Sequence, residues 1–112
     1  MSPSAFKSSL IENKPPGGIS GCLQAMWYDG KNDWERAHTI AQDIETKDGA
    51  WVHAYLHRKE GDSGNANYWY ARAGKTMPGY SLEKEWEEMV KHLDSAVDVG
   101  SWSTESNSLN PP

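Results

Sequence analysis

The sequence predicts an all-α fold, and three observations support this prediction. In five successive segments, apolar residues recur every three to four positions, which is the period of an amphipathic helix. No segment of useful length alternates apolar and polar residues, because the one strand-like run, Tyr68-Trp69-Tyr70, lies inside a helical pattern. Short segments containing glycine or proline separate the five helices and predict the turns between them.

The composition indicates one small domain with an aromatic core. Only fifteen of the 112 residues are Leu, Ile, Val or Phe, which is fewer than a globular chain normally contains. Six Trp and five Tyr compensate, because each large aromatic side chain buries roughly 150–250 Å². We therefore expect a folded middle between weakly ordered ends.

The charge and the single cysteine argue against several classes of protein. A net charge of −5 and a pI near 5.3 do not suit binding to nucleic acids or membrane surfaces, since phosphates attract basic proteins. The sequence shows neither the apolar run of a transmembrane helix nor the apolar core of a signal peptide. Cys22 has no partner for an intrachain disulfide, and we expect it to be a buried apolar residue of a reduced, cytoplasmic protein.

The chain is expected to consist of an N-terminal arm over residues 1–19, a helical domain over 20–99 and a disordered tail over 100–112. In the arm, Ser4 is a candidate N-cap for a short helix that carries Phe6, Leu10 and Ile11. The prolines and glycines of residues 15–18 then mark the start of the helical domain.

Two pairs of helices are predicted over residues 20–46 and 50–74, separated by a break at Lys47-Asp48-Gly49. Asp33 is a good N-cap for the second helix of the first pair. Gly61 suits the left-handed residue that ends the first helix of the second pair. The residues that we expect to face the core are Leu23, Met26, Trp27, Ala37, Ile40, Ala41, Ile44, Ala66, Trp69, Tyr70 and Ala73.

The last helix, over residues 81–99, has the strongest amphipathic pattern of the chain. Its apolar stripe consists of Leu82, Trp86, Met89, Leu93 and Val97. We expect this stripe to cover the exposed apolar face of the last pair. The acidic residues of its first half are Glu83, Glu85, Glu87 and Glu88. We interpret them as a solvated face that complements the helix dipole, the alternative being a contact with a basic patch on a partner or on a second copy.

A shift of 29 residues relates the two pairs of helices. Across this shift, alanines coincide where the helices of a pair would cross closely, and an aspartate coincides where each second helix begins. The matching residues are Ala25 with Ala54, Trp27 with Leu56, Asp33 with Asp62, and Ala37 with Ala66. One pair cannot bury its apolar face alone, so the pattern predicts that the two pairs stack.

This pattern resembles the tetratricopeptide repeat and the related Sel1-like repeat. The residues that carry the resemblance are Ala54, Gly61-Asp62, Ala66, Tyr70, Ala73 and Pro78. Over residues 20–99 the resemblance implies a right-handed α–α superhelix of two helical hairpins and a C-terminal capping helix. Because about three repeats are normally needed for stability, the arm, the last helix or a second subunit must cover the open ends.

The resemblance also implies a concave groove that binds a peptide or a partner helix. It places Trp51, Tyr55, Arg58 and Lys59 in this groove, on the helix predicted over residues 50–60. Such a surface suits a peptide with an apolar anchor and an acidic group, unless Trp51 and Tyr55 are ordinary core residues. From it we predict a non-enzymatic protein-binding module, across whose groove a terminal arm or a neighbouring subunit packs.

His53 and His57 indicate an alternative function, the binding of a metal ion or small ligand. They lie four residues apart, the spacing at which two histidines of one helix can share a metal ion. The third ligand would be Glu60, His38 or a water molecule. The simpler interpretation is a polar helix face or two hydrogen-bonded histidines at an interface.

Catalytic motifs are not recognisable in the sequence. It contains no spacing of nucleophile and base, no glycine-rich phosphate loop and no paired cysteines. These observations favour a protein without enzymatic activity and without a cofactor.

Overall fold

A computed structural model describes the backbone of residues 1–99 and the side chains of residues 1–94. Over residues 1–99 the fold is all-α, as the sequence predicts, and contains no strand. The helices are α1 (Pro3–Ser8), α2 (Gly21–Gly30), α3 (Trp34–Gln42), α4 (Lys47–Glu60), α5 (Ser63–Arg72) and α6 (Leu82–Val99), and a 3-10 turn, Ser9–Ile11, follows α1. None of these helices is both long enough and apolar enough to cross a membrane. The predicted tail and the side chain of Val97 lie outside the described part.

The pairs α2–α3 and α4–α5 are built in the same way. The side chains of Asp33 and Asp62 cap the second helices, each accepting a hydrogen bond of 3.2 Å from the backbone N–H three residues ahead. The preceding residues, Asn32 and Gly61, both have a left-handed backbone, with φ of 65° and 89°. The repeated alanines Ala25, Ala37, Ala54 and Ala66 are all fully buried. Helix α3 also packs on α4, which joins the two pairs.

Helix α4 begins three residues earlier than the sequence predicts. The expected break at Lys47-Asp48-Gly49 is wrong, because these residues form the first turn of α4. Thr46 caps this turn by accepting a hydrogen bond of 3.0 Å from the Gly49 N–H. A Cβ at Gly49 would collide with the carbonyl oxygen and side chain of Ile44, so this glycine permits close packing. Helix α3 accordingly ends at Gln42, four residues before the predicted end.

Helix α6 packs across the first helices of both pairs, α2 and α4. Its residues Trp86, Met89 and Leu93 are buried, as predicted. Trp86 Nε1 donates to the Met26 carbonyl of α2 at 3.3 Å. This position differs from the predicted one, since α6 lies along both pairs instead of on the last pair alone.

The N-terminal arm packs against α6 through α1. Phe6 is buried, with its ring centroid 5.9 Å from that of Trp86, whereas Ile11 is exposed. The N-cap of α1 is Ser2 instead of Ser4. The arm thus contributes to the core and covers α6.

Candidate metal centre

Three histidines meet where the first helical pair packs on the second. His53 and His57 lie one turn apart on α4, and His38 of α3 faces both of them. The Nε2 atoms of His38 and His53 are 3.0 Å apart. One ring nitrogen from each histidine lies within 4.8 Å of the other two. His53 and His57 are buried and His38 is half-buried, so the cluster lies just beneath the surface.

Two tryptophans hold the imidazoles in place. Trp34 stacks on His38 with 4.8 Å between ring centroids, and Trp69 stacks on His53 at 4.1 Å. Trp34 is itself fixed, because its Nε1 donates to the Leu56 carbonyl at 2.8 Å. The ring orientations in the cluster therefore depend on packing between neighbouring helices.

Glu60 places a carboxylate beside the cluster. Its Oε2 is 2.7 Å from His57 Nδ1, which leaves Nε2 of the same ring for a metal ion. A carboxylate on the far nitrogen of a ligating histidine fixes the ring and raises its basicity. Glu60 therefore acts as a positioning residue for His57. It also lies near His57 in a second group with Asp62, but Asp62 is engaged as the N-cap of α5.

The surroundings of His38 and His53 favour their neutral form. Burial, followed by the nearby imidazole of His57, lowers the pKa of His38 below its usual value. Burial and the two neighbouring histidines lower the pKa of His53 to about 4. A neutral imidazole offers a free lone pair, which is the form in which histidine binds a metal ion.

The nitrogen positions suit a small transition-metal ion after modest adjustment. With Zn–N distances of about 2.0–2.1 Å, the nitrogens of a tetrahedral site lie about 3.3 Å apart. The 3.0 Å between His38 and His53 would widen slightly. Separations near the 4.8 Å limit would contract, by about 1.5 Å to reach the tetrahedral value. Small rotations about the broad χ2 torsion of histidine supply shifts of this size.

Two surface clefts reach the cluster. The first has a volume of about 570 Å³, and its lining includes His53, Trp69, Glu45, Lys47 and Arg72. The second has a volume of about 790 Å³ and is lined by Asp33, Trp34, Glu35, Arg36, His38 and Thr39. Two bases and one acid line the first cleft, whereas two acids and one base line the second.

Another face of α4, which the sequence predicts to be a peptide groove, is covered by α6. Trp51 Nε1 donates to Glu85 Oε2 at 3.0 Å, and Arg58 Nη1 donates to Glu85 Oε1 at 2.8 Å. The Tyr70 hydroxyl of α5 donates to the same carboxylate at 2.6 Å, and its burial raises the pKa of this tyrosine. Glu85 is fully buried, so its interpretation as part of a solvated face is wrong.

The remaining residues of the predicted groove contact α2. The Tyr55 hydroxyl donates to Asp29 Oδ2 at 3.2 Å, and Lys59 Nζ donates to Asp29 Oδ1 at 2.9 Å. Tyr55 is buried, which raises the pKa of its hydroxyl. Neighbouring helices of the same chain thus engage all four of the predicted groove residues. The covering helix α6 brings an acid and an aromatic anchor, which is the chemistry expected of a bound peptide.

Some of the residues that build these sites are not identified by the sequence pattern. His38 is one of three alternatives for the third ligand, and nothing in the spacing selects it. Trp34 and Trp69 reach the histidines from other helices, so no local signal links them to the cluster. Glu85 does carry a signal, because it lies three residues after Leu82, on the buried side of α6.

Comparisons of the chain with protein-family models, with curated proteins and with solved structures find no match. The resemblance to tetratricopeptide and Sel1-like repeats therefore rests on the sequence positions given above. The chemistry of the three-histidine cluster is the firmer basis for a function.

Proposed function

We propose that the chain binds a divalent transition-metal ion, Zn²⁺ first among them, through His38, His53 and His57. The observation that carries this proposal is the convergence of three imidazole nitrogens within 4.8 Å. Three histidines form a ligand set that proteins use for Zn²⁺, and imidazole also suits Cu²⁺ and Ni²⁺. Ca²⁺ and Mg²⁺ prefer oxygen ligands, which the three rings do not supply.

The competing role for the cluster is a polar contact without a metal ion. In that role the 3.0 Å hydrogen bond between His38 and His53 would simply join α3 to α4. The carboxylate of Glu60 on Nδ1 of His57 favours the metal site, because a ligating histidine usually has such a partner on the ring nitrogen that does not bind the ion. The two roles differ in their response to added metal.

Isothermal titration of the untagged, metal-free chain with Zn²⁺ tests the proposal. We expect one ion per chain. In a separate urea unfolding experiment, a free Zn²⁺ concentration of 100 times the Kd should raise the free energy of unfolding by about 2.7 kcal/mol. The double variant His38→Asn/His53→Gln lacks two ligands and should not bind. His92→Gln is the matched control, because His92 is exposed on α6 and pairs with Asp48 at 2.9 Å.

The variant Glu60→Gln distinguishes a metal site from a polar contact more finely. It removes the charge beside His57 while keeping the size of the side chain, and it should weaken Zn²⁺ binding roughly tenfold or more. A wild-type chain that takes up no metal would contradict the proposal. Equal losses of binding in His92→Gln and in the double variant would contradict it as well.

A second candidate function is protein binding through the groove of α2 and α4, in a two-hairpin tetratricopeptide-like or Sel1-like superhelix. One observation favours it. The groove already holds an amphipathic helix, α6, through the buried acid Glu85 and the aromatic anchor Trp86. A partner helix with the same pattern would compete with α6 for Arg58 and Trp51.

A fluorescently labelled peptide of residues 81–94 tests this second function. We expect little binding to the wild-type chain, whose groove is filled. Binding should become measurable with the full-length variant Glu85→Ala, in which α6 is held less tightly, once circular dichroism has shown that the variant is folded. The same peptide carrying Glu85→Ala is the control. Failure of the unchanged peptide to bind either protein would contradict a partner in this groove.

A further inference from the structure

The three-histidine cluster leaves at least one position of a bound metal ion open. Among the residues whose side chains the structure describes, no fourth His, Cys, Asp or Glu joins the three histidines within 4.8 Å. Glu60 does not fill the position, since its carboxylate contacts His57 Nδ1 and does not lie within 4.8 Å of all three histidines. A tetrahedral ion held by three protein ligands takes its fourth ligand from solution.

The charge at this position favours a negatively charged ligand. Three neutral imidazoles leave the double positive charge of the ion uncompensated. Metal centres of this kind lower the pKa of a bound water, because the ion stabilises an anion at the open position. Another small anion would gain from the same attraction.

The two clefts beside the cluster differ in how well they admit an anion. The cleft at His53 is lined by Lys47 and Arg72 against the single acid Glu45. The Arg72 guanidinium lies 5.4 Å from the ring of Trp69, which itself stacks on His53, and Arg72 and His53 line the same cleft.

The cleft at His38 offers a poorer entrance. It contains two acids, Asp33 and Glu35, and its single cation, Arg36, lies 3.8 Å from the Asp33 carboxylate. An approaching anion meets net negative charge there and net positive charge at the His53 cleft. Electrostatics therefore selects the His53 side.

We infer that the metal-loaded chain binds a small anion, a carboxylate or an inorganic oxyanion, as the fourth ligand of the metal. The inference rests on the proposed metal function. The anion enters by the cleft at His53, donates a lone pair of an oxygen atom to the ion, and pairs with Arg72 and Lys47. The binding is a reversible ligand exchange in which the anion replaces a bound water.

The test uses the intact chain loaded with Co²⁺, whose visible spectrum changes when a ligand of the ion changes. Titration with acetate and with phosphate should give saturable spectral changes. Arg72→Gln should raise the Kd of the anion roughly two- to fivefold and leave the affinity for Co²⁺ unchanged. Arg36→Gln, in the other cleft, is the matched control and should leave both affinities unchanged.

The outcomes separate this inference from the proposal beneath it. If the chain does not take up Co²⁺, the metal function itself fails. If Co²⁺ binds and neither anion changes the spectrum at saturating concentrations, the open position is not an anion site and only this inference fails. An equal effect of Arg36→Gln and Arg72→Gln would overturn the assignment of the cleft.

Discussion

The first helices of the two pairs, α2 and α4, keep the same buried alanines but present different side chains to their neighbours. A shift of 29 residues places Gln24 and Tyr28 of α2 where α4 has His53 and His57. The backbone plan is repeated, down to the left-handed residue and the capping aspartate before each second helix. The chemistry on that plan is not.

The three-histidine cluster forms only where the first pair of helices meets the second. His38 belongs to the second helix of the first pair, and His53 and His57 belong to the first helix of the second pair. The position equivalent to His38 in α5 is Asn67. The comparison teaches that a repeated fold can carry a unique site where one repeat meets the next.

A second difference concerns Asp29 and Arg58, which occupy equivalent positions and carry opposite charges. Asp29 pairs with Lys59, whose side chain is 34% exposed, whereas Arg58 pairs with the fully buried Glu85. The Arg58–Glu85 ion pair, between α4 and α6, is therefore more deeply desolvated than the Lys59–Asp29 ion pair, between α4 and α2.

The largest expected loss of stability follows from removing Glu85, the acid of the Arg58–Glu85 ion pair. Glu85→Ala leaves Arg58 without its partner and takes the acceptor from Trp51 and Tyr70. We expect a loss of about 3–5 kcal/mol in the free energy of unfolding, measured in urea. Glu88→Ala, on the exposed side of α6, is the control and should cost less than about 1 kcal/mol.

Removing Asp29, the acid of the other ion pair, should cost less stability. Asp29→Ala leaves the Tyr55 hydroxyl unpaired but lets Lys59 turn to water, and we expect a loss of about 1–3 kcal/mol. If Asp29→Ala destabilised the chain more than Glu85→Ala, the two ion pairs would have been ranked in the wrong order.

The next effect concerns the alanines at the helix crossings. Ala37→Leu and Ala66→Leu should each overpack the core and lower the free energy of unfolding by about 1–3 kcal/mol. Ala37→Leu should lower the stability more than Ala66→Leu, because α3 packs on both α2 and α4, whereas α5 packs chiefly on α4. Ala71→Leu is the exposed control on α5, expected within about 0.5 kcal/mol of the wild type. If Ala37→Leu and Ala66→Leu destabilised the chain no more than Ala71→Leu does, the helices would be farther apart than described.

The smallest effect is a pH dependence carried by the histidines. His53 takes up a proton near its usual pKa of about 6.5 when unfolded, but its pKa in the fold is about 4. Between these values the unfolded chain binds the extra proton, so stability falls as the pH falls. Between about pH 7.5 and 5.5 the metal-free chain should lose about 1 kcal/mol on this account.

His53→Gln, which gives α4 the residue of α2 at the equivalent position, is the variant for this pH experiment. Urea midpoints at the two pH values should lie closer together in the variant than in the wild type, because the carboxylates are common to both chains. Parallel pH dependences in the two chains would mean that His53 does not carry the effect.

The fold was predictable where local signals agreed. The apolar stripes, the capping aspartates and the left-handed Gly61 gave the helices and their turns. The start of α4 was not predictable, because Gly49 looks like a break and instead lets the helix approach Ile44. Its role depends on a contact that the spacing of residues does not show.

The candidate site was predictable only in part, for the same reason. His53 and His57 share one helix, so their spacing revealed them. His38 and the stacking tryptophans come from other helices, and their positions depend on how α3 and α5 pack on α4. The burial of Glu85 was not predicted, because it lies among other acidic residues and such a cluster usually faces solvent. Its place next to Trp86 of the apolar stripe did indicate burial.

The stacking of Trp34 and Trp69 on the histidines has a photophysical consequence. An indole in contact with a protonated imidazole, or close to a paramagnetic ion such as Cu²⁺, loses emission intensity. Two of the six tryptophans of the chain lie against the cluster. Their intrinsic fluorescence should therefore fall when the histidines are protonated or when a paramagnetic ion such as Cu²⁺ binds, so the chain carries its own optical probe without an added label.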